Sequence, residues 1–190
     1  MAELYYAEEI FTKANFADQK LAGTEFNSCT FKHCDFTQTS LKGAVFSDCV
    51  FDTCNLSLAD LTQVKLENAQ FSHCKIVGVN FSACSDFLFS ISFSHCLLDF
   101  CDFRQKKLKA TPFISCSLKE VNFEACNLTG ADFTHSDLTR AIFRESNLEK
   151  ADFREAYNFS IDPEYNKIKK ARFSRLGLSG LLDKYELVIS

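Results

Sequence analysis

ACNLTGADFTHSDLTRAIFRESNLEKADF, residues 125–153, restarts itself every five residues. Leu128, Phe133, Leu138, Phe143, Leu148 and Phe153 mark the beat, and Cys126, Ala131, Ser136, Ala141, Ser146 and Ala151 precede them by two. Followed N-terminally, every fifth residue from Phe11 to Phe81 is Phe, Leu or Ile. The register then slips by two residues, and from Leu88 to Phe153 Leu and Phe alternate strictly. A period of five suits neither a helix at about 3.6 nor a strand at 2.

Two residues of each five therefore point inward, one large and one small, and three point outward. A coil with short straight sides and a corner at each repeat satisfies this, and such coils stack like parallel strands about 4.8 Å apart. Four sides make a coil of 20 residues. Residues 20 apart then lie on one wall, which puts Phe93, Phe113, Phe133 and Phe153 in one ladder and Phe103, Phe123 and Phe143 in the ladder opposite. Leu88, Leu108, Leu128 and Leu148 form a third, facing Leu98, Leu118 and Leu138. A three-sided coil would mix Phe with Leu on every wall. The sequence predicts an all-β solenoid, a quadrilateral β-helix of about seven coils over residues 1–156, with a short helical cap over 157–190.

The composition agrees. A chain of 190 residues with 21 Phe, no Trp, 6 Gly and 2 Pro has too little turn punctuation for an ordinary mixed domain. Nine of the ten cysteines stand two residues before a Phe, Leu or Ile of the repeat, alternating there with Ala, Ser, Thr and Val. They read as small buried apolar residues, not as a disulfide framework or a zinc site, which needs C-x-x-C spacing. Without a basic-then-apolar leader or an apolar run of about 20 residues, the expected setting is cytoplasmic, reduced and without membrane. The net charge of −4 argues against indiscriminate nucleic-acid binding, and no direct nucleic-acid partner is expected.

Three segments depart from the period. The two extra residues lie within SACSDFLFS, residues 82–90, which reads either as a tolerated surface insertion or as a recognition loop carrying Asp86 and Phe87. Lys106 takes a small-residue slot beside Lys107 and Lys109, so it either snorkels out or marks a bulge, and the run forms a local basic patch that reads either as solvated surface or as a partner contact. After Phe153 the beat stops. Asp162-Pro163 predicts a helix through PEYNKIKKARF, followed by a second short helix and an extended Leu187–Ile189.

No phosphate loop, nucleophile elbow or H-E-x-x-H occurs, so no catalytic site, cofactor or metal is expected. His33, His73, His95 and His135 all follow a Phe of one wall by two residues and read as outward decoration.

The phrases Ala131-Asp132-Phe133, Ala151-Asp152-Phe153 and Cys126-Asn127-Leu128 resemble those of the pentapeptide-repeat family, over residues 9–155. That resemblance implies a right-handed quadrilateral β-helix. The mid-rod break and the C-terminal segment are similar to the quinolone-resistance (Qnr-type) and microcin-immunity branch. For that branch it implies binding to DNA gyrase and topoisomerase IV by imitation of duplex DNA, and protection from quinolone- or microcin-type poisons. It also implies homodimerisation through Leu178, Leu181, Leu182, Tyr185, Leu187 and Ile189, the competing reading of the same segment being a simple monomeric cap. Residues 1–160 hold 21 Asp/Glu and 15 Lys/Arg. Duplex DNA as long as a rod of roughly 35 Å carries on the order of 20 negative charges. Mimicry must then be confined to one wall, and the candidates are Asp132 with Asp152, or Glu25, Asp48 and Glu67. The competing reading is a scaffold for an unrelated partner.

Overall fold

A computed structural model describes residues 4–17, 19 and 21–188, and the period of five is its wall. Tyr5–Ala7, Glu25–Asn27, Val45–Ser47 and Lys65–Glu67 pair in parallel on the first wall. Ile10–Thr12, Thr30–Lys32, Val50–Asp52, Ala69–Ser72, Ile91–Ser94 and Phe113–Ile114 pair in the same sense on the second. Partners are 20 residues apart, as in Phe31 with Phe51, until the break makes them 22 apart, as in Phe71 with Phe93. The third and fourth walls, and most of the rod after the break, are joined by single parallel bridges such as Asp35 to Asn55 and Asn127 to Asn147.

The predicted ladders are present. Phe93, Phe113, Phe133 and Phe153 stack with ring centroids 5.5, 5.3 and 4.8 Å apart. Phe81, Phe103, Phe123 and Phe143 stack opposite at 4.5, 5.4 and 5.2 Å. Rings from the two ladders meet edge to face, Phe103 on Phe113 at 83°, the arrangement the ring quadrupole favours. Each fully buried Phe contributes about 1.5–3 kcal/mol over its exposed state.

Corners are turned by the residue two beyond each large one. Ser28, His33, Gln38, Asp48 and Thr53 all have φ between 52° and 56°, a left-handed backbone that side chains adopt reluctantly. Gly78 occupies this slot where Leu58 from the preceding coil lies over it, so close that an added Cβ would meet Leu58 Cδ2 at 2.9 Å.

Three expectations need correction. The register does not resume at Leu88, which is exposed with φ 54°; Phe89 packs against the core in its place, and Ile91 and Phe93 recover the stack. The helix expected over Pro163–Phe173 does not form. That segment makes another coil, bridging Lys167 to Asn147 and pairing Arg172–Phe173 with Asp152–Phe153, with Phe173 stacked on Phe153 at 5.2 Å. Stacking an apolar ring on the open Phe layer outweighed a favourable N-cap. The solenoid thus has about eight turns instead of seven, and the helical cap shrinks to 3-10 turns at Leu176–Leu181 and Asp183–Tyr185.

Candidate interaction surfaces

The outward residue before each large one explains the A-D-F and C-N-L phrases. Asp132 Oδ1 accepts from the Thr134 backbone N–H at 2.9 Å and from its hydroxyl at 2.6 Å. Asp35, Asn55, Asp60, Asn127 and Asp137 make the same pair of bonds two residues ahead. These are Asx turns that tighten the wall before each corner.

That changes the reading of the acidic candidates. Asp152 accepts from Arg154 Nε at 3.0 Å and Nη2 at 2.7 Å, with Arg172 Nη1 at 3.5 Å. The Arg154 guanidinium holds its carboxyl below the usual carboxylate range. Asp132 and Asp152 do stack one coil apart, but one is spent on its own turn and the other is neutralised. Glu25, Asp48 and Glu67 lie together on the first wall. Their polar partners are neutral: Asn68 Nδ2 donates to Asp48 at 2.7 Å and the Ser47 hydroxyl to Glu67 at 3.4 Å. Among the described residues no cation pairs with any of the three.

The break is a built feature. Lys106 neither snorkels out nor bulges: it is 3% exposed. Its Nζ donates to the Cys84 carbonyl at 2.7 Å and to Asp86 Oδ1 at 2.6 Å, and sits 5.2 Å from the Phe89 ring centre. The ammonium fills a corner slot and fastens the insertion. Asp86, inward by the pattern, is exposed instead, and Phe87 and Leu88 stand out at 65% and 54%. A charged residue in a small-residue slot was the sequence signal for this clasp.

All ten thiols are free and buried. Cys34, Cys54, Cys74 and Cys96 rise one per coil and donate to the carbonyls of Phe11, Phe31, Phe51 and Phe71 at 3.3–3.4 Å. Burial pushes Cys49, Cys84, Cys101 and Cys126 up to about 12, which leaves them unreactive. Among the described residues no three His, Cys, Asp or Glu side chains are placed to hold a metal ion. His73 and His95 stack in parallel at 5.0 Å, with Asp52 Oδ1 3.8 Å from His73 Nδ1, so the two rings lie side by side instead of converging on one point.

On the cap, Leu178, Leu182, Tyr185 and Leu187 are exposed, whereas Leu181 packs against the core. Ile189 falls outside the described residues. Gly180 lies against Phe159, where any Cβ would clash with the Phe159 carbonyl, and its own carbonyl accepts from the Ile161 N–H at 2.8 Å. This contact closes the open end of the solenoid.

A pentapeptide repeat region is matched over residues 8–81, and eight copies of the pentapeptide repeat over 116–155. The chain belongs to the pentapeptide-repeat family. No curated protein matches it by sequence. Among solved structures, trypsin-treated QnrB1, a plasmid-mediated fluoroquinolone resistance protein, is similar with a TM-score of 0.64 at 17% identity, over 99% of this chain and 98% of that one. A second trypsin-treated QnrB1 variant is similar at 0.63 and 16%. HetL, a pentapeptide-repeat protein involved in heterocyst differentiation regulation in Nostoc sp. strain PCC 7120, is similar with a TM-score of 0.51 at 18% identity, over 90% and 84%. At these identities the likeness is one of fold.

Proposed function

We propose that this chain is a non-enzymatic, cytoplasmic protein that binds a type II topoisomerase, DNA gyrase or topoisomerase IV. It would imitate part of duplex DNA there and protect the enzyme from quinolone- or microcin-type poisons. The observation that carries the reading is the end-to-end correspondence with a fluoroquinolone resistance protein, 99% of one chain on 98% of the other. The contact falls on the first wall before the break, where Glu25, Asp48 and Glu67 have no cationic partner, and on the knob of Phe87 held out by the Lys106–Asp86 pair. Asp132 and Asp152 drop out of the contact. The exposed Leu178, Leu182, Tyr185 and Leu187 would join two copies at the capped end.

A second reading, a scaffold for an unrelated partner, is favoured by the likeness to HetL and by the second wall, where Asp132 is spent on its turn and Asp152 is paired with arginines. A supercoiling assay with purified gyrase, with and without ciprofloxacin, separates the two. Rescue at low protein concentration without inhibition in the drug's absence is the expected result, weakening as salt rises. No effect in either arm would leave only the scaffold.

A further inference from the structure

Folding the chain onto four walls separates charges that its net value averages away. After the break, the wall carrying Leu108, Leu128, Leu148 and Ile168 presents Lys107, Lys109, Lys150, Lys167, Lys169 and Lys170, all exposed. Their placement follows from the backbone: Lys107 bridges to Asn127, Asn127 to Asn147 and Asn147 to Lys167, while the Lys150 N–H donates to the Lys169 carbonyl. Glu149 is the one acid among them. None of the six lysines makes an ion pair among the described residues. Around the corners, Glu145 pairs with Arg144, and Asp152 with Arg154 and Arg172. Six lysines and one glutamate give this wall +5, so the rest of a chain of net charge −4 carries −9.

We propose that this half-wall binds the phosphodiester backbone of duplex nucleic acid without reading its sequence. Lysines are point charges without the bidentate fork that reads a base edge. Between the lysines no aromatic side chain stands to stack on unpaired bases; the exposed Tyr165 and Phe87 only border the patch. The spacers between the lysines are Ala110, Thr129 and Gly130 with Asn127 and Asn147; the exposed Phe87 and Leu88 border the patch at the break, so the vesicle arm of the test below decides against a bilayer. Lys107 and Lys109 lie two to three coil rises from the other four, about 10–14 Å at about 4.8 Å per coil. That matches the roughly 12 Å major groove, so the two groups can meet the phosphate rows on either side of it. Glu25, Asp48 and Glu67, on the same wall before the break, repel the duplex and confine it to the C-terminal half. The inference rests on this charge map alone and not on any topoisomerase contact.

The test is fluorescence anisotropy of the full chain with two labelled 24-base-pair duplexes of unrelated sequence. Both should bind equally. If five phosphates are neutralised, affinity should fall roughly 500-fold between about 50 and 200 mM salt. A Lys167→Gln/Lys169→Gln/Lys170→Gln variant should bind more weakly and lose a large part of that salt dependence. Arg104→Gln/Arg144→Gln, on the fourth wall, should change neither. Thermal melting checks that these surface variants stay folded. Absence of duplex binding at low salt would overturn the proposal, and so would an unaffected triple variant. So would equal binding to polyglutamate, which would assign the wall to an acidic protein, or a preference for phosphatidylglycerol vesicles, which would assign it to a membrane.

Discussion

Before the break the first two walls are strands, while after it most walls are tight bridged turns, yet the core period is the same. Part of the difference lies in one outward position. Ahead of the core residue, the strand-like walls carry Val45, Lys65, Thr30 and Val50, none of which can make an Asx turn. The turn-like walls carry Asn127, Asp132, Asp137 and Asn147, each accepting from the N–H two residues on. The interior sets the repeat, and the Asx side chains brace many of the tight turns, though Lys107, Leu97 and Ile142 round theirs without one.

The largest effect should not distinguish the halves. Phe31 and Phe113 are both completely buried, and Phe31→Ala and Phe113→Ala should each cost about 3–5 kcal/mol in urea unfolding. A much smaller loss in one half would mean that the core is not equivalent along the rod. The next effect should separate them. Asp132→Ala removes both bonds to Thr134 and should cost about 1–2 kcal/mol, with Asp132→Asn close to the parent. Val45→Ala removes no such bond and should cost less than about 1 kcal/mol. Equal costs would break the link between the outward position and the corner.

Acid should act through the same turns. The Thr37 and Thr62 hydroxyls hold Asp35 and Asp60 below the usual carboxylate range, as Arg154 does Asp152. Their contribution is present above the unfolded value of about 3.9 and is lost as pH falls through the lower folded values. It is modest, because these groups are largely solvated. Asp60→Asn keeps the acceptor and should flatten the acid limb of the stability curve, measured by urea midpoints from pH 6 to 3. Smallest is the clasp. Lys106→Met exchanges a buried ammonium, paired with an exposed carboxylate, for an apolar chain of similar size and should move rod stability by no more than about 1 kcal/mol. Limited proteolysis should nevertheless cut residues 85–90 faster, and unchanged cleavage would show that the insertion holds itself.

The walls were legible because the inward pair repeats without help from distant contacts: Phe113 and Phe133 announce their stacking by position alone. The insertion was legible as to place but not as to path. Leu88 and Phe89 are both apolar, and only the need to seat Ile91 over Ala69 decides that Phe89 turns inward. The C-terminal coil misled because Asp162-Pro163 is a sound local signal, whereas Phe173 answers to a ring 20 residues earlier. The acidic candidates misled differently: Asp132 and Asp152 look like surface charge, but the reason for their residue type lies in the backbone beside them. The basic half-wall was half legible: Lys107, Lys109 and Lys150 follow from the coil length, but Lys167, Lys169 and Lys170 join them only because residues 163–173 form a coil and not the expected helix.

The column of buried thiols has a use at the bench. Cys34, Cys54, Cys74, Cys96 and Cys116 sit on five successive turns, with Cys126 beyond them. In the native rod an alkylating reagent finds all of them masked, so each acquires a label only when its own turn opens. Peptide mapping of a partly labelled sample would therefore show from which end the rod frays, turn by turn, without a single engineered probe.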